Sequence, residues 1–220
     1  MTGMLKGAML MSLLLLMTAA EAKETPEWAK PIEDVPGLPR VLLIGDSISI
    51  GYLNATRELL AGKANVHRPP INCGPTSRGV EMIDEWLGEG DWDVIHFNFG
   101  LHDIKLMEDG THQVPIEQYG ENLRVILGKI MATGAKVIWC STTPVPAVTG
   151  GVSRRTEDVP EYNAVAAAIM QEKGIPTDDL YTFALERLAE IQLPENVHFS
   201  PEGSKVLATK VAAEIEARLP

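Results

Sequence analysis

Two cysteines in 220 residues exclude a disulfide-dense scaffold. The chain also has no paired Cys-x-x-Cys, no His-Glu-x-x-His, no Walker loop and no Gly-x-Gly-x-x-Gly. Zinc and nucleotide chemistry therefore lack sequence support, and no cofactor or metal is expected. Positive charge is scarce: 19 Lys and Arg stand against 30 Asp and Glu, for a formal charge of −11. Such a chain gains nothing from a phosphate backbone or an anionic membrane surface, so neither nucleic acid nor a membrane is an expected partner. The charge serves solubility. Repeats and low-complexity tracts are missing too, as is any apolar run of the roughly 20 residues that a spanning helix requires.

The apolar run that does exist is short. Lys6 precedes an uncharged stretch from Gly7 to Ala20 that holds Leu13-Leu14-Leu15-Leu16, and Ala20-Glu21-Ala22 follows. A charged start, an apolar centre and a small-x-small end make residues 1–22 an expected secretory signal peptide, with the mature protein periplasmic or secreted. No cysteine follows the cleavage signal, so neither a lipid anchor nor stable membrane association of the mature chain is expected. Residues 23–39 carry Pro26, Pro31, Pro36 and Pro39 and read as an irregular lead-in. Residues 40–220 are expected to form one domain, since a chain 45% hydrophobic can build one substantial core and has little room for a second.

Within that domain, Val41-Leu42-Leu43-Ile44 is a continuous apolar run of the kind that forms a strand buried on both faces. A helix is expected from after Ser47 to about Leu60. Strands are expected over Trp92–Phe99 and Ala135–Cys140. Leu123, Ile126, Leu127 and Ile130 have helical spacing within 116–131. Further helices are expected over about 160–172 and 201–219, the last with Ser200 and Pro201 at its start. Strands alternating with helices predict an α/β fold with a parallel sheet covered on both sides.

The run into Gly45-Asp46-Ser47 delivers a hydroxyl to the carboxyl end of a buried strand, where open α/β sheets bind ligands. Ser47 is the candidate nucleophile. A serine hydroxyl attacks usefully only when a base takes its proton. His198 is the candidate base, in Pro194-Glu195-Asn196-Val197-His198-Phe199 just before the terminal helix, with a carboxylate three residues upstream. His96 lies within a strand and reads as a core residue, while His67 and His112 sit in polar surroundings and read as surface.

Gly45-Asp46-Ser47-Ile48 resembles the first block of the SGNH (GDSL-type) hydrolases, and Glu195-x-x-His198 resembles their last block, usually Asp-x-x-His. Asn72-Cys73-Gly74-Pro75-Thr76-Ser77-Arg78-Gly79 is similar to the second block, and Gly100-Leu101-His102-Asp103 to the third, normally Gly-x-Asn-Asp. The blocks occur in the family's order between Val41 and Gly203. The resemblance implies a three-layer α/β/α sandwich on a flavodoxin-like, five-stranded parallel sheet, and serine ester hydrolysis without a cofactor. With that strand order, Cys73 after the second strand and Cys140 at the end of the fourth lie about 14 Å apart, beyond the approximately 7 Å limit for a bridge. Free thiols are expected, Cys140 buried.

Two departures bear on the chemistry. Glu195 stands where the family has Asp and would accept the Nδ1 proton of His198; otherwise Ser47 and His198 act as a dyad. His102 stands where the family has its oxyanion asparagine, and a neutral imidazole still offers one N–H. His102 is the expected side-chain donor, with Asn98 as rival. The backbone amides of Ser47 and Gly74 are the other expected donors. Gly74 is preferred to Gly79 because Gly74-Pro75-Thr76-Ser77-Arg78 loosely resembles the continuation in polysaccharide acetylesterases of the family. Asp46 and Asp103 are expected to bond loop amides. The expected activity is hydrolysis of short acyl groups, acetyl above all, on a carbohydrate or small-molecule ester. A lipase, thioesterase or acyltransferase fits the same residues, and the alternative from another class is a non-catalytic carbohydrate-binding protein on the same fold.

Overall fold

A computed structural model describes residues 25–148, 150, 151 and 153–220. The expected signal peptide, residues 1–22, lies outside them. The lead-in holds one short 3-10 helix, Glu27–Ala29. Five strands follow, β1 (Arg40–Ile44), β2 (Asn65–His67), β3 (Val94–Phe97), β4 (Lys136–Cys140) and β5 (Thr177–Asp178), all parallel in the order β2-β1-β3-β4-β5. The helices are α1 (Ser47–Leu59), α2 (Thr76–Leu87), α3 (Ile116–Ala132), α4 (Asp158–Lys173), α5 (Leu180–Leu185), α6 (Leu188–Ile191) and α7 (Pro201–Glu216). α1 packs on α7 across one face of the sheet, and α2 on α3 and α3 on α4 across the other. The three-layer sandwich and the flavodoxin-like strand order are those expected from the sequence.

The continuous apolar runs become the buried centre. Val41 to Ile44 are at most 2% exposed, as befits a strand covered on both faces. On α3, Leu123, Ile126, Leu127 and Ile130 face the sheet and are buried, each contributing on the order of 1.5–3 kcal/mol through apolar burial. Cys73, in the loop after β2, and Cys140, at the end of β4, are free and buried, and β1 and β3 lie between those two strands. Among the described residues no helix is long and apolar enough to cross a membrane.

One packing relation decides where the chemistry sits. α1 starts at the carboxyl end of β1, and α7 starts at the same end of the molecule and runs beside it in the same direction. Lys63 and Glu216, at the far ends of the pair, are linked at 2.7 Å. The close approach depends on small residues, since a Cβ on Gly51 of α1 would meet Ser204 Oγ of α7 at 3.2 Å; Gly203 likewise lets α7 abut α6, where a Cβ would collide with the carbonyl of Ile191. Side-by-side packing brings Ser47, the first residue of α1, and His198, in the loop before α7, together, although 151 positions separate them in sequence.

Candidate active site

Ser47 occupies the first turn of α1. Asp46 caps the helix, its carboxylate accepting from the Ile48 N–H at 2.9 Å, as the sequence predicts. Gly45 is required in front of it, because a Cβ there would lie 2.9 Å from the Ser49 side chain. Asp46 and Ile48 are buried while Ser47 between them is half-exposed. The turn therefore presents a single hydroxyl at the rim of the sheet. The backbone N–H of Ser47, one of the unpartnered donors at a helix start, makes no hydrogen bond among the described residues.

Ser47 Oγ lies 2.8 Å from His198 Nε2. His198 is carried by a tight turn between α6 and α7, closed by Leu193 N–H donating to the His198 carbonyl at 3.0 Å and by an antiparallel bridge between Gln192 and Phe199. Here the structure departs from the sequence expectation. The partner of His198 Nδ1 is Asn196, whose Oδ1 is 2.8 Å from it and also accepts the His198 backbone N–H at 3.0 Å. Glu195 does not reach the ring. It occupies the tip of the turn in a left-handed conformation, φ 52°, and its carbonyl accepts from Gly150 N–H at 2.8 Å. Its side chain is exposed and borders a depression with Glu186, Arg187 and Pro194.

The protonation pattern of the pair follows from donor chemistry. A backbone N–H can only donate, so the Asn196 atom facing it is the carbonyl oxygen. That oxygen accepts from Nδ1, which therefore carries the proton and leaves Nε2 as acceptor for the Ser47 hydroxyl. A two-residue Asx turn thus fixes the tautomer that a nucleophile–base pair requires.

His102 sits across the opening, in a turn anchored from below by Asp103. Asp103 Oδ1 accepts from the backbone N–H of Thr76 at 2.9 Å and from its hydroxyl. This is the scaffold role expected of Asp103, and burial pushes its carboxyl up to about 7. Burial also lowers the pKa of His102; Asp46 opposes that shift, and the cations Arg154, Lys105 and Arg78 add to it. The net shift favours the neutral imidazole, which offers one N–H. Asn98, the rival donor, spends its amide on the Cys140 carbonyl at 2.8 Å and on Thr142 Oγ1 at 3.3 Å, below the site.

Gly74 has the positive φ, 67°, that favours glycine. Its N–H, however, donates to Asn72 Oδ1 at 3.0 Å, so Asn72 already occupies the donor that the sequence reading assigned to the oxyanion. With that oxygen engaged, the Asn72 amide nitrogen is a further donor on the cleft wall, which sequence reasoning missed. Gly79 lies in the first turn of α2, where a Cβ would clash with Ile126 and Phe99. Its role is packing.

The remaining histidines separate as core and scaffold. His96 is fully buried and bonds Asp178 at 3.0 Å, as expected of a core residue. His67 and His112 are more embedded than the surface reading held. His67 bonds Asp34 at 2.6 Å and packs edge-on to Trp92, and His112 bonds Asp158 at 2.8 Å.

Two hollows meet at Ser47 and His198. One is a cleft of about 420 Å³ that includes Asn72, His102, Lys105, Arg154 and Asn196. The other, about 140 Å³, lies between the starts of α1 and α7, with Ile48, Gly51, Phe199 and Ser204. A nucleophile with its base, donors opposite and room on both sides form the apparatus of acyl transfer.

Many solved structures share this fold. The model of the GDSL-like lipase/acylhydrolase family matches residues 43–206. A lipase/acylhydrolase from Enterococcus faecalis superposes with a TM-score of 0.71 at 21% identity, covering 83% of this chain and 98% of its own. The acetyl xylan esterase AlAXEase gives 0.69 at 16% identity over 80% and 99%. The acetylxylan esterase Axe2 from Geobacillus stearothermophilus gives 0.67 at 19% identity over 80% and 94%. No curated protein sequence is a match.

Proposed function

The chain belongs to the GDSL-like lipase/acylhydrolase family, and on that premise we propose that this serine ester hydrolase removes short acyl groups, acetyl above all, from the hydroxyls of a carbohydrate outside the cytoplasm. The observation that carries the assignment of residues is the 2.8 Å approach of Ser47 Oγ to His198 Nε2, with Nδ1 held by Asn196.

In this mechanism His198 takes the Ser47 proton as Oγ bonds to the ester carbonyl carbon. The carbonyl oxygen becomes an oxyanion, which accepts from the free Ser47 N–H and from His102. Asn72 contributes its amide nitrogen in place of the engaged Gly74 N–H. The intermediate collapses, the C–O bond to the sugar breaks, and imidazolium returns the proton to the leaving alcohol. Water, deprotonated by His198, then attacks the acyl carbon and releases the acid and free Ser47.

The size of the smaller hollow supports a short acyl group. At about 140 Å³ it is about a third of the 420 Å³ cleft beside it, which favours a short acyl chain there and the alcohol part in the cleft. Two of the structures named above are acetyl xylan esterases, which supports acetyl on a sugar. Export rests on Lys6, the stretch from Gly7 to Ala20 and Ala20-Glu21-Ala22.

The test is a panel of p-nitrophenyl esters from acetate to decanoate, together with acetylated oligosaccharides and a fluorophosphonate probe. Turnover is expected to fall steeply beyond butyrate, with Ser47 labelled. A folded sample that neither labels nor turns over acetate overturns the proposal in favour of a binding protein. His102→Ala is expected to lower kcat by about 10²–10³, the usual cost of one oxyanion donor, with KM little changed. His102→Asn, which restores the family's amide, is expected to recover part of that loss. Near-full activity in the alanine variant removes His102 from the oxyanion site.

A further inference from the structure

The larger cleft is out of keeping with the chain that builds it. Acidic residues outnumber basic ones 30 to 19 overall. Among the described residues lining this cleft there is nevertheless no carboxylate and no Phe, Tyr or Trp, while Lys105 and Arg154 both face it. Both are half-buried. Elsewhere cations are commonly matched: Arg40 by Asp34, Arg124 by Glu172, Lys129 by Asp84 and Lys210 by Glu214. Among the described residues Lys105 and Arg154 form no ion pair.

Arg154 is also held in place. Its Nε donates to the Leu101 carbonyl at 2.7 Å, which ties the guanidinium to the turn carrying His102 and leaves the Nη end as a fixed fork. A planar fork of this kind matches an oxyacid group with two parallel hydrogen bonds, and a neighbouring ammonium adds charge. Asp46, the carboxylate whose charge acts on Arg154, is engaged at the start of α1. Without a Trp, Tyr or Phe face, a sugar ring lacks the broad apolar platform it would stack on here. Charge is what the wall offers.

We propose that Lys105 and Arg154 bind a carboxylate or sulfate group of the substrate, so that the ester cleaved at Ser47 sits on an acidic sugar. The inference rests on the esterase reading above. The anion docks against Lys105 and Arg154 while the acylated hydroxyl of the same or the next sugar reaches Ser47. The two cations determine specificity and take no part in the bond changes.

The experiment compares kcat/KM for an O-acetylated galacturonate oligosaccharide, an O-acetylated sulfated galactan oligosaccharide and a neutral O-acetylated xylo-oligosaccharide of equal length. The parent is expected to favour one of the acidic substrates by about tenfold or more, the scale of a charge-assisted hydrogen bond; the arm that responds tells carboxylate from sulfate. Lys105→Met and Arg154→Gln are each expected to lower the acidic-to-neutral ratio, chiefly through KM, and the double variant to bring it near one. Lys105 is the cleaner of the two, since Arg154 also supports Leu101. Calorimetric binding of the deacetylated oligosaccharides is expected to show the same preference without turnover. Hydrolysis of p-nitrophenyl acetate with no acidic preference in either readout overturns this inference alone. So does an equal loss on acidic and neutral esters in the variants. Acid-selective binding by a protein that hydrolyses nothing supports the cleft assignment and overturns the esterase reading.

Discussion

Ser47→Ala is expected to lower kcat on p-nitrophenyl acetate by about 10⁶-fold, the scale seen when a serine nucleophile is removed. His198→Ala is expected to cost nearly as much, and the double variant little more, because a nucleophile and its base act as one unit. The fold should not register the change. The Ser47 side chain makes one hydrogen bond, to His198, while Asp46 and Ser49 hold the helix start without it. Thermal unfolding of Ser47→Ala is therefore expected within a few degrees of the parent. Covalent labelling by a fluorophosphonate should vanish in both single variants, for different reasons: one lacks the oxygen and the other lacks the base that activates it. A Ser47→Ala protein retaining more than a few per cent of parental kcat would remove Ser47 from the role of nucleophile.

What could be read from the sequence was whatever a single segment encodes by itself. Val41 to Ile44 announced a doubly covered strand by being apolar throughout, and α3 announced itself by the spacing of Leu123, Ile126, Leu127 and Ile130. Elements defined by distant partners were not legible. β5 is two residues, Thr177 and Asp178, too short to show a period, and it exists because its backbone pairs with Trp139 and Cys140. α2 starts at Thr76, where Asp103, 27 positions away, takes the Thr76 N–H, a partner that no local pattern shows. The site divides in the same way. Ser47 and His198 could be named from their segments, but the occupant of the Gly74 N–H depended on the rotamer of Asn72. Glu195 failed as the orienting acid for a backbone reason. Spacing along the chain marks it three residues before the histidine, yet the turn puts that position at its tip and the next one under the ring. An asparagine two residues before a histidine is a candidate Asx turn, and that signal was available.

The consequence can be measured. Asn196→Ala is expected to lower kcat on the order of 10³, below the roughly 10⁴ lost when the charged acid of a serine triad is deleted. The smaller figure follows from what an amide can and cannot do. Its oxygen fixes the His198 ring and places the proton on Nδ1, so removing it frees both tautomer and orientation. It carries no charge, however, so it contributes less than a carboxylate to the imidazolium formed during attack. Asn196→Asp keeps the acceptor geometry and adds that charge, and its kcat is expected within tenfold of the parent or above it. Glu195→Ala removes an exposed side chain with no hydrogen bond to the ring, and a loss of less than about threefold is expected, in line with a surface change. Three variants measured on one ester therefore separate the two neighbours. If Glu195→Ala costs a hundredfold and Asn196→Ala almost nothing, the turn rearranges when substrate binds and the carboxylate, not the amide, supports His198.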